Sequence, residues 1–430
     1  ASHSGAISAQ AHSDLAPKRP MPPKLSGAPP PPPPASQAPR RSAGVRPTAA
    51  APALGLQEQL AGGTAGLRSV RREDVHDSSG AAGTCVLSSA EDFSEYQKYM
   101  QRFNVECWLE ALGDATFETE LLPVEPLDAE AIVTLHKREA AAEALASASA
   151  RLSKLVPRLQ LAMEAVGASQ CGCFVKTSSR SAKDHVEPAS LRSQVSAILQ
   201  RLACSDENAQ LVALSYASMR LLCMRDAHQA VRVCVESDRC WHDMELALAQ
   251  RGFWNESLVA RRWIHLEPDM EFRCFVSGNE LTAVSQYRHL VHFPRLLSLR
   301  DDLLEGLKQF FHSVVRPRLA GLFPRDQYVA DVAVELVGGS IDNVMASGAV
   351  AGLSLGRWWC IEVNPFYETT DGCLFSWQRE RSILEGCIET GTVSGPQLRL
   401  RERPARGALA MVYGKWKEAL GMDRDVQKVE

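Results

Sequence analysis

Three stretches of the chain carry residue types suited to holding a polyanion and a divalent cation. In Phe174-Val175-Lys176-Thr177-Ser178-Ser179-Arg180-Ser181-Ala182-Lys183-Asp184 a lysine ends an apolar run and a serine-rich, cationic turn follows. Read as a strand, the run puts Lys176 on the same face as Phe174. An ammonium held beside apolar groups keeps its charge only with an anion nearby. A nucleotide phosphate would serve, with Arg180, Lys183 and the serine hydroxyls as further donors. A strand-end lysine that simply reaches solvent explains the same spacing. No GxxxxGK[ST] and no GxGxxG occurs, so neither a P-loop nor a dinucleotide fold is indicated.

The second stretch is acidic and lies on two runs. In Tyr328–Glu335, Asp331, Ala333 and Glu335 alternate with Ala330, Val332 and Val334. In Cys360–Phe366, Glu362 and Asn364 share a face opposite Ile361 and Val363. If the two strands pair, Asp331, Glu362 and Asn364 meet on one side of a sheet. Hard oxygen donors of this kind suit Mg²⁺, usually held by one or two carboxylates, waters and phosphates. Pairing of these acids with a nearby arginine is the competing explanation. The third stretch is cationic: Leu258–Trp263 ends in Arg261, Arg262 and Trp263, and in Glu271-Phe272-Arg273-Cys274 the charged pair faces away from the apolar one. Glu271 supplies a single counter-charge for these cations. A triphosphate would complete the balance, and so would solvent at a cationic edge.

These residues need strands to aim them and helices to cover the strands. Phe93, Tyr96, Tyr99, Met100 and Phe103 predict a short amphipathic helix. Strands are expected over 117–122, 171–177, 230–235, 257–263, 271–276, 281–287, 327–337 and 358–364. Helices are expected from an Asp128 cap through Leu135, over 139–166 with Pro157 interrupting or kinking it, and over 191–202, 208–224 and 238–250. A further helix over 301–315 is expected to stop at Pro317. The connection 338–356 is long for a hairpin loop, glycine-rich and expected to be mobile. Adjacent antiparallel strands with packed helices give an α+β architecture.

Composition bounds the rest. The chain has 430 residues, 45% hydrophobic and 23% charged, as in ordinary globular proteins. A net charge of −4 argues against nucleic acid as a partner. No run of about 18 apolar residues occurs, so no membrane-spanning helix is expected. Residues 1–90 are rich in Ala, Ser and Pro and are expected to be a disordered arm. Its proline run Pro29–Pro34 fits a polyproline II ligand for an SH3 or WW domain, or a plain solvated spacer. Few acids and several arginines also give the arm some transit-peptide character. A folded domain is expected over 91–395 and a tail with a short helix over 396–430. Twelve cysteines include no CxxC pair, which gives zinc no ordinary spacing and suits the reducing cytoplasm.

Taken in order, the lysine strand with its SAKD turn, LVxRxW, EFRCFV, carboxylate-x-Asn-Pro-Phe and Thr370-Asp371 followed by Leu374-Phe375 and Trp377 resemble the cell-division-cycle-123 family. That resemblance implies a two-lobed ATP-grasp fold, ATP and Mg²⁺ as ligands, and work as an assembly chaperone for translation initiation factor 2 through its gamma subunit. It assigns Lys176 and Arg273 to the phosphates and Ser178, Ser181 and Lys183 to the loop that closes over them. Arg261 and Trp263 fall near adenine and ribose, with Glu271 in the same nucleotide set. Asp331, Glu362 and Asn364 fall on the Mg²⁺ ligands. The pattern is not followed everywhere. Glu362 stands where the family usually has Asp, and Ser178-Ser179 where it has an asparagine–tryptophan pair. Tyr287-Arg288-His289 replaces an Arg-Asp, and the 338–356 connection is longer than usual. Many ATP-grasp proteins are ligases that join a carboxylate to an amine through an acyl phosphate, which is the alternative reading.

Overall fold

A computed structural model describes residues 97–249, 256–348, 352–387, 395–412 and 414–420. The expected arm 1–90, Phe93 and Tyr96 of the expected first helix, and 421–430 lie outside the described residues. Two sheets organise the rest. The smaller contains β1 (Thr119–Pro123), β2 (Cys173–Thr177) and β3 (Ser257–Arg262) in the order β1-β3-β2, all antiparallel. The larger contains β4 (Glu271–Ser277), β5 (Glu280–Gln286), β6 (Tyr328–Val337), β7 (Ser354–Pro365) and β8 (Gln397–Arg399) in the order β7-β6-β4-β5-β8. Its pairings are antiparallel except β5 with β8, which is parallel, so the sheet is mixed and takes a strand from the stretch expected to be tail. The α+β architecture expected from the alternating patterns is present.

One face of the small sheet is dry. Cys173, Val175, Leu258 and Ala260 pack into a core with α1 (Pro126–Lys137), α2 (Ala142–Ala165), α5 (Ala227–Glu236) and α6 (Asp238–Ala249). The other face carries Lys176, Arg261 and Val259. In the large sheet, Phe272, Cys274, Val332, Val334 and Val363 build the main core with α3 (Pro188–Leu202), α4 (Glu207–Leu221) and α7 (Arg300–Phe310). The opposite face holds Arg273, Asp331 and Glu362 beside a smaller apolar cluster of Phe275, Val329, Phe366, Phe375 and Trp377. The period-two alternation thus separates core from site as the sequence implied. Among the described residues no helix is long and apolar enough to cross a membrane, and no described cysteine forms a disulfide.

Four local expectations are corrected. Residues 230–235 are helix, not strand: Asp226 accepts the His228 N–H, and the buried positions Ala227, Ala230, Val231, Val233 and Cys234 follow a helical stripe that a short apolar run had disguised. Asp128 is not the N-cap of α1. Glu125 is, and Asp128 reaches back to the Glu125 N–H at 3.3 Å in a capping box. Helix α2 continues through Pro157, with Leu152, Leu155 and Leu159 buried on both sides of it, so packing of the apolar stripe outweighs the lost backbone bond. Pro317 does not stop the helix after α7 either. A π turn at Phe311–Val315 precedes it, and the wider turn makes room for the ring, so helix resumes over Arg316–Leu319.

A buried charge cluster ties the layers together. The Arg295 guanidinium, fully buried, donates to Asp269 at 2.6 Å through both Nε and Nη2, to Glu267 at 2.7 Å and to Asn343 at 2.6 Å. The Tyr216 hydroxyl of α4 donates to Glu267. Burial would raise the Glu267 carboxyl, but hydrogen bonds from His265, Arg295 and Tyr216 bring it down to about 2. Asn343 also pins the described part of the 338–356 connection, where Ile341 and Val344 are buried, so this part is anchored rather than loose. Removing Arg295 would strand two buried carboxylates. Arg295→Met should therefore cost about 3–5 kcal/mol in urea unfolding, and Tyr216→Phe about 1 kcal/mol. A loss below about 1 kcal/mol for Arg295→Met would show that the cluster contributes little.

Candidate functional site

The two sheets meet along β7. Opposite β6, Asp331 pairs with Glu362 and Val332 with Cys360, which leaves Ile361 as an extra residue. This bulge frees a carbonyl, and Arg261 Nη1 from β3 takes the Ile361 oxygen at 2.5 Å. The rest of the Arg261 guanidinium is spent on Thr116 Oγ1 at 2.6 Å and Thr119 Oγ1 at 3.2 Å, over the rings of Phe117 and Trp108. Burial lowers its pKa to about 10, with Glu362 opposing that fall. One strand away, Lys176 Nζ forms an ion pair with Glu362 Oε1 and also donates to the Ser179 carbonyl at 3.3 Å.

Around Glu362 the charges interlock. Arg273 makes a two-pronged bond to Asp331 at 2.8 and 2.9 Å, and Asn364 Nδ2 donates to Asp331 at 3.1 Å. Burial would raise the Glu362 carboxyl. Lys176 and Lys183 more than offset this and hold it at about 2. Arg273 works against desolvation too, but Asp331 keeps its guanidinium well above the usual range. Tyr287 separates the two outer cations: its ring lies 4.8 Å from Arg273 and 5.0 Å from Lys183, and its hydroxyl accepts from Lys183 at 2.8 Å.

The turn after β2 is clamped by Asp243 of α6. Its carboxylate accepts from Thr177 at 2.5 Å, Ser179 at 2.7 Å and Arg180 Nε at 2.7 Å. Beside it, burial and then the Asp243 charge push Glu256 up to about 8, so this carboxyl carries a proton at neutral pH. These groups border a cavity of about 560 Å³. Its described lining includes the cations Arg180, Lys183, Arg239, Arg273 and Arg288 against the acids Asp243, Glu256, Glu362 and Asp371. These five cations against four acids leave the balance positive, the sign an anionic ligand needs, and a neutral Glu256 makes it more so. Leu211, Leu214, Leu246, Leu290, Met411 and Trp416 give the remaining wall an apolar surface.

The expected site residues fall into three groups. Ser181, Lys183, Arg273, Glu362 and Asn364 line the cavity, and Lys176 and Asp331 stand directly behind, bonded to lining residues. Glu271 shares the face of Arg273 but stands outside the lining; burial raises its carboxyl while Lys183 and Arg288 oppose. Ser178, Arg261 and Trp263 do not reach the cavity. The Ser178 hydroxyl donates to Glu106 at 2.6 Å and accepts the Ser257 N–H, and its own N–H goes to Glu256. Arg261 is consumed at the junction, and Trp263 lines a separate cavity of about 150 Å³ with Tyr216, Met219 and His265. Asp243, Glu256, Tyr287 and His289 were not singled out as site residues. Asp243 had a signal, since an acid sits in the stripe of α6 that also buries Cys240 and Met244.

Two of the three hard-oxygen residues are already ion-paired, Asp331 with Arg273 and Glu362 with Lys176. Asp331, Glu362 and Asn364 come together on paired strands, and among the described residues Glu362 Oε2 and Asn364 Oδ1 carry no hydrogen bond. The arrangement defines an α+β protein with a charged cavity where two sheets meet. Residues 221–407 match the model of the D123 family, which bears out the resemblance read from the motifs. A Danio rerio protein named translation initiation factor eIF2 assembly protein is 33% identical over 150 residues, covering 34% of this chain and 37% of that one. Its Xenopus laevis namesake is 28% identical over 149 residues, covering 34% and 38%. A Phaeosphaeria nodorum cell division cycle protein 123 is 37% identical over 120 residues, covering 28% and 26%. The chain thus aligns with between 26% and 38% of these relatives' length. The solved structure of Cdc123 from Schizosaccharomyces pombe aligns with a TM-score of 0.44 at 20% identity, covering 70% of this chain and 96% of that one.

The Lys176–Glu362 pair has a pH signature. The folded Glu362 carboxyl lies at about 2, below its unfolded value near 4.5, so its contribution is full above about pH 5 and is lost as pH falls toward 2. Glu362→Gln should be less stable than wild type at pH 7 by on the order of 3 kcal/mol, and the gap should close between about pH 5 and pH 2. Urea unfolding across that range checks it; a gap that stays constant with pH would contradict the assignment.

Proposed function

We propose that the cavity binds ATP with Mg²⁺ in an ATP-grasp manner and that the chain works in the assembly of translation initiation factor 2 through its gamma subunit, in the cytoplasm. The single observation that carries the nucleotide reading is the convergence of Lys183, Arg273, Glu362 and Asn364 on one 560 Å³ cavity, with Lys176 and Asp331 bonded directly behind them. Asp331, Glu362 and Asn364 would hold the Mg²⁺, which when bound neutralises charge shared between phosphate oxygens. Lys183 and Arg273 reach the phosphates directly. Lys176 sets the position of Glu362 from behind. The apolar wall around Leu214 and Leu246 offers a surface for a base. The partner half of the proposal is supported by the names of the relatives with which about a third of this chain aligns.

Two measurements test the halves separately. Mg-ATP at about one hundred times its dissociation constant should add roughly 2.7 kcal/mol to the unfolding free energy, read as a rise in Tm. Asn364→Ala should lose most of that rise while folding normally, and no rise in the wild type would overturn the nucleotide reading. In a capture assay with purified gamma subunit, wild type should retain more partner with Mg-ATP than without it, and Asn364→Ala should show no such difference. Equal capture by wild type under both conditions would separate partner binding from nucleotide, and no capture would overturn the partner half.

A further inference from the structure

His289, Asp371 and Cys373 stand together on the cavity wall, where the buried Cys373 thiol donates to the Tyr287 carbonyl at 3.6 Å. His289 follows β5, and Asp371 and Cys373 come from the segment after β7. One ring nitrogen of His289, one carboxylate oxygen of Asp371 and the Cys373 sulfur all lie within 4.8 Å of one another. All three residues line the large cavity. The His289 Nδ1 to Asp371 Oδ2 separation is 3.9 Å, too long for a hydrogen bond and short enough for two ligands of one ion. The other Asp371 oxygen, Oδ1, accepts the Cys373 N–H at 2.8 Å, which turns Oδ2 toward the histidine.

The donor types select the ion. Imidazole nitrogen, thiolate sulfur and carboxylate oxygen on one centre suit a borderline-soft cation bound tetrahedrally at about 2.0–2.3 Å. Bonds of that length place ligand atoms roughly 3.3–3.8 Å apart, so the three need to draw in by about an ångström. The backbone that carries them is fixed. Leu374 N–H donates to Ser285 Oγ at 3.0 Å, Thr370 Oγ1 donates to the Pro365 carbonyl at 2.7 Å, and Trp377 Nε1 donates to the Thr370 carbonyl at 2.6 Å. Arg273 lies close, donating to the Asp371 carbonyl at 2.9 Å, but Asp331 already neutralises it through two bonds. A thiolate and a carboxylate would therefore balance a divalent cation locally.

We infer that His289, Asp371 and Cys373 form a zinc-class metal site on the cavity wall, with the fourth coordination position open to the cavity. The site is distinct from the oxygen-donor set of Asp331, Glu362 and Asn364 and does not depend on the nucleotide reading. Spacing alone does not reveal it, because the histidine is far from the Asp-x-Cys pair and no ordinary zinc spacing is present.

Cobalt substitution tests this directly. The full chain, with the exposed Cys107 and Cys387 changed to serine, would be stripped with a chelator and titrated with Co²⁺. One Co²⁺ per chain should bind with a thiolate-to-cobalt charge-transfer band, and Zn²⁺ should displace it. Cys373→Ser should abolish the band. His289→Gln, the less buried change, should weaken Zn²⁺ by more than the roughly 10–100-fold that outer-shell changes cost. Absence of the band in the parent chain, or its survival in Cys373→Ser, would overturn the site. If Cys373→Ser fails to fold, unchanged Zn²⁺ affinity in His289→Gln overturns it instead.

Discussion

The meeting of the two sheets rests on two cations from the small sheet gripping one strand of the large one. Lys176 takes the Glu362 carboxylate and Arg261 takes the Ile361 carbonyl. The second contact exists because β7 carries one residue more than β6 at that point. Without the bulge, Ile361 would spend its carbonyl on the ladder and Arg261 would be a buried charge with less to bond. The same bulge sets Glu362 opposite Asp331, so one backbone irregularity both joins the layers and assembles the acidic set. Thr116, whose hydroxyl donates to the Cys360 carbonyl at 2.7 Å, reinforces the junction.

From that junction outward, charges come as compensated pairs. Lys176 is matched by Glu362, Arg273 by Asp331 and Arg180 by Asp243. Among the described residues Glu256 has no cation of its own. Burial and the neighbouring Asp243 keep it protonated at neutral pH, which removes a negative charge from the cavity where Lys183 and Arg288 stand. The turn after β2 is held in place: Asp243 occupies the hydroxyls of Thr177 and Ser179, Ser178 is turned into the protein, and Ser181 and Lys183 farther along line the cavity.

The alternation of side chains in β4, β6 and β7 was legible because the period of two sorts charged from apolar residues without reference to anything distant. Arg273 against Phe272 and Asp331 against Val332 needed only their own strands. The positions of Arg261 and Trp263 were not legible, because whether a strand-end cation meets a ligand or a carbonyl depends on a bulge in a strand about a hundred residues away. Residues 230–235 were read as a strand because a short, mostly apolar run broken by Arg232 fits either period, and only the Asp226 cap and the wider burial stripe decide for helix. Asp243 and Glu256 escaped notice for a related reason. A single acid in a sequence looks solvated until the structure closes over it.

The pairing also constrains how any polyanion could enter. Lys176 and Arg273 already hold carboxylates, so an incoming phosphate alone would have to displace Glu362 or Asp331 and leave an acid uncompensated in a buried setting. A divalent cation alone would face the converse difficulty, competing with lysine and arginine for the same oxygens. On the proposed reading, the two arriving together would exchange partners without stranding either charge, with Asp331 and Glu362 free to hold the metal and Lys176 and Arg273 the phosphates. Ion pairs of this kind would then favour joint uptake of anion and metal over either one singly. That coupling is a consequence of having filled the site with its own counter-charges, and it would vanish if Glu362 and Asp331 were made neutral, since the cations would then be free to take a phosphate with no metal present.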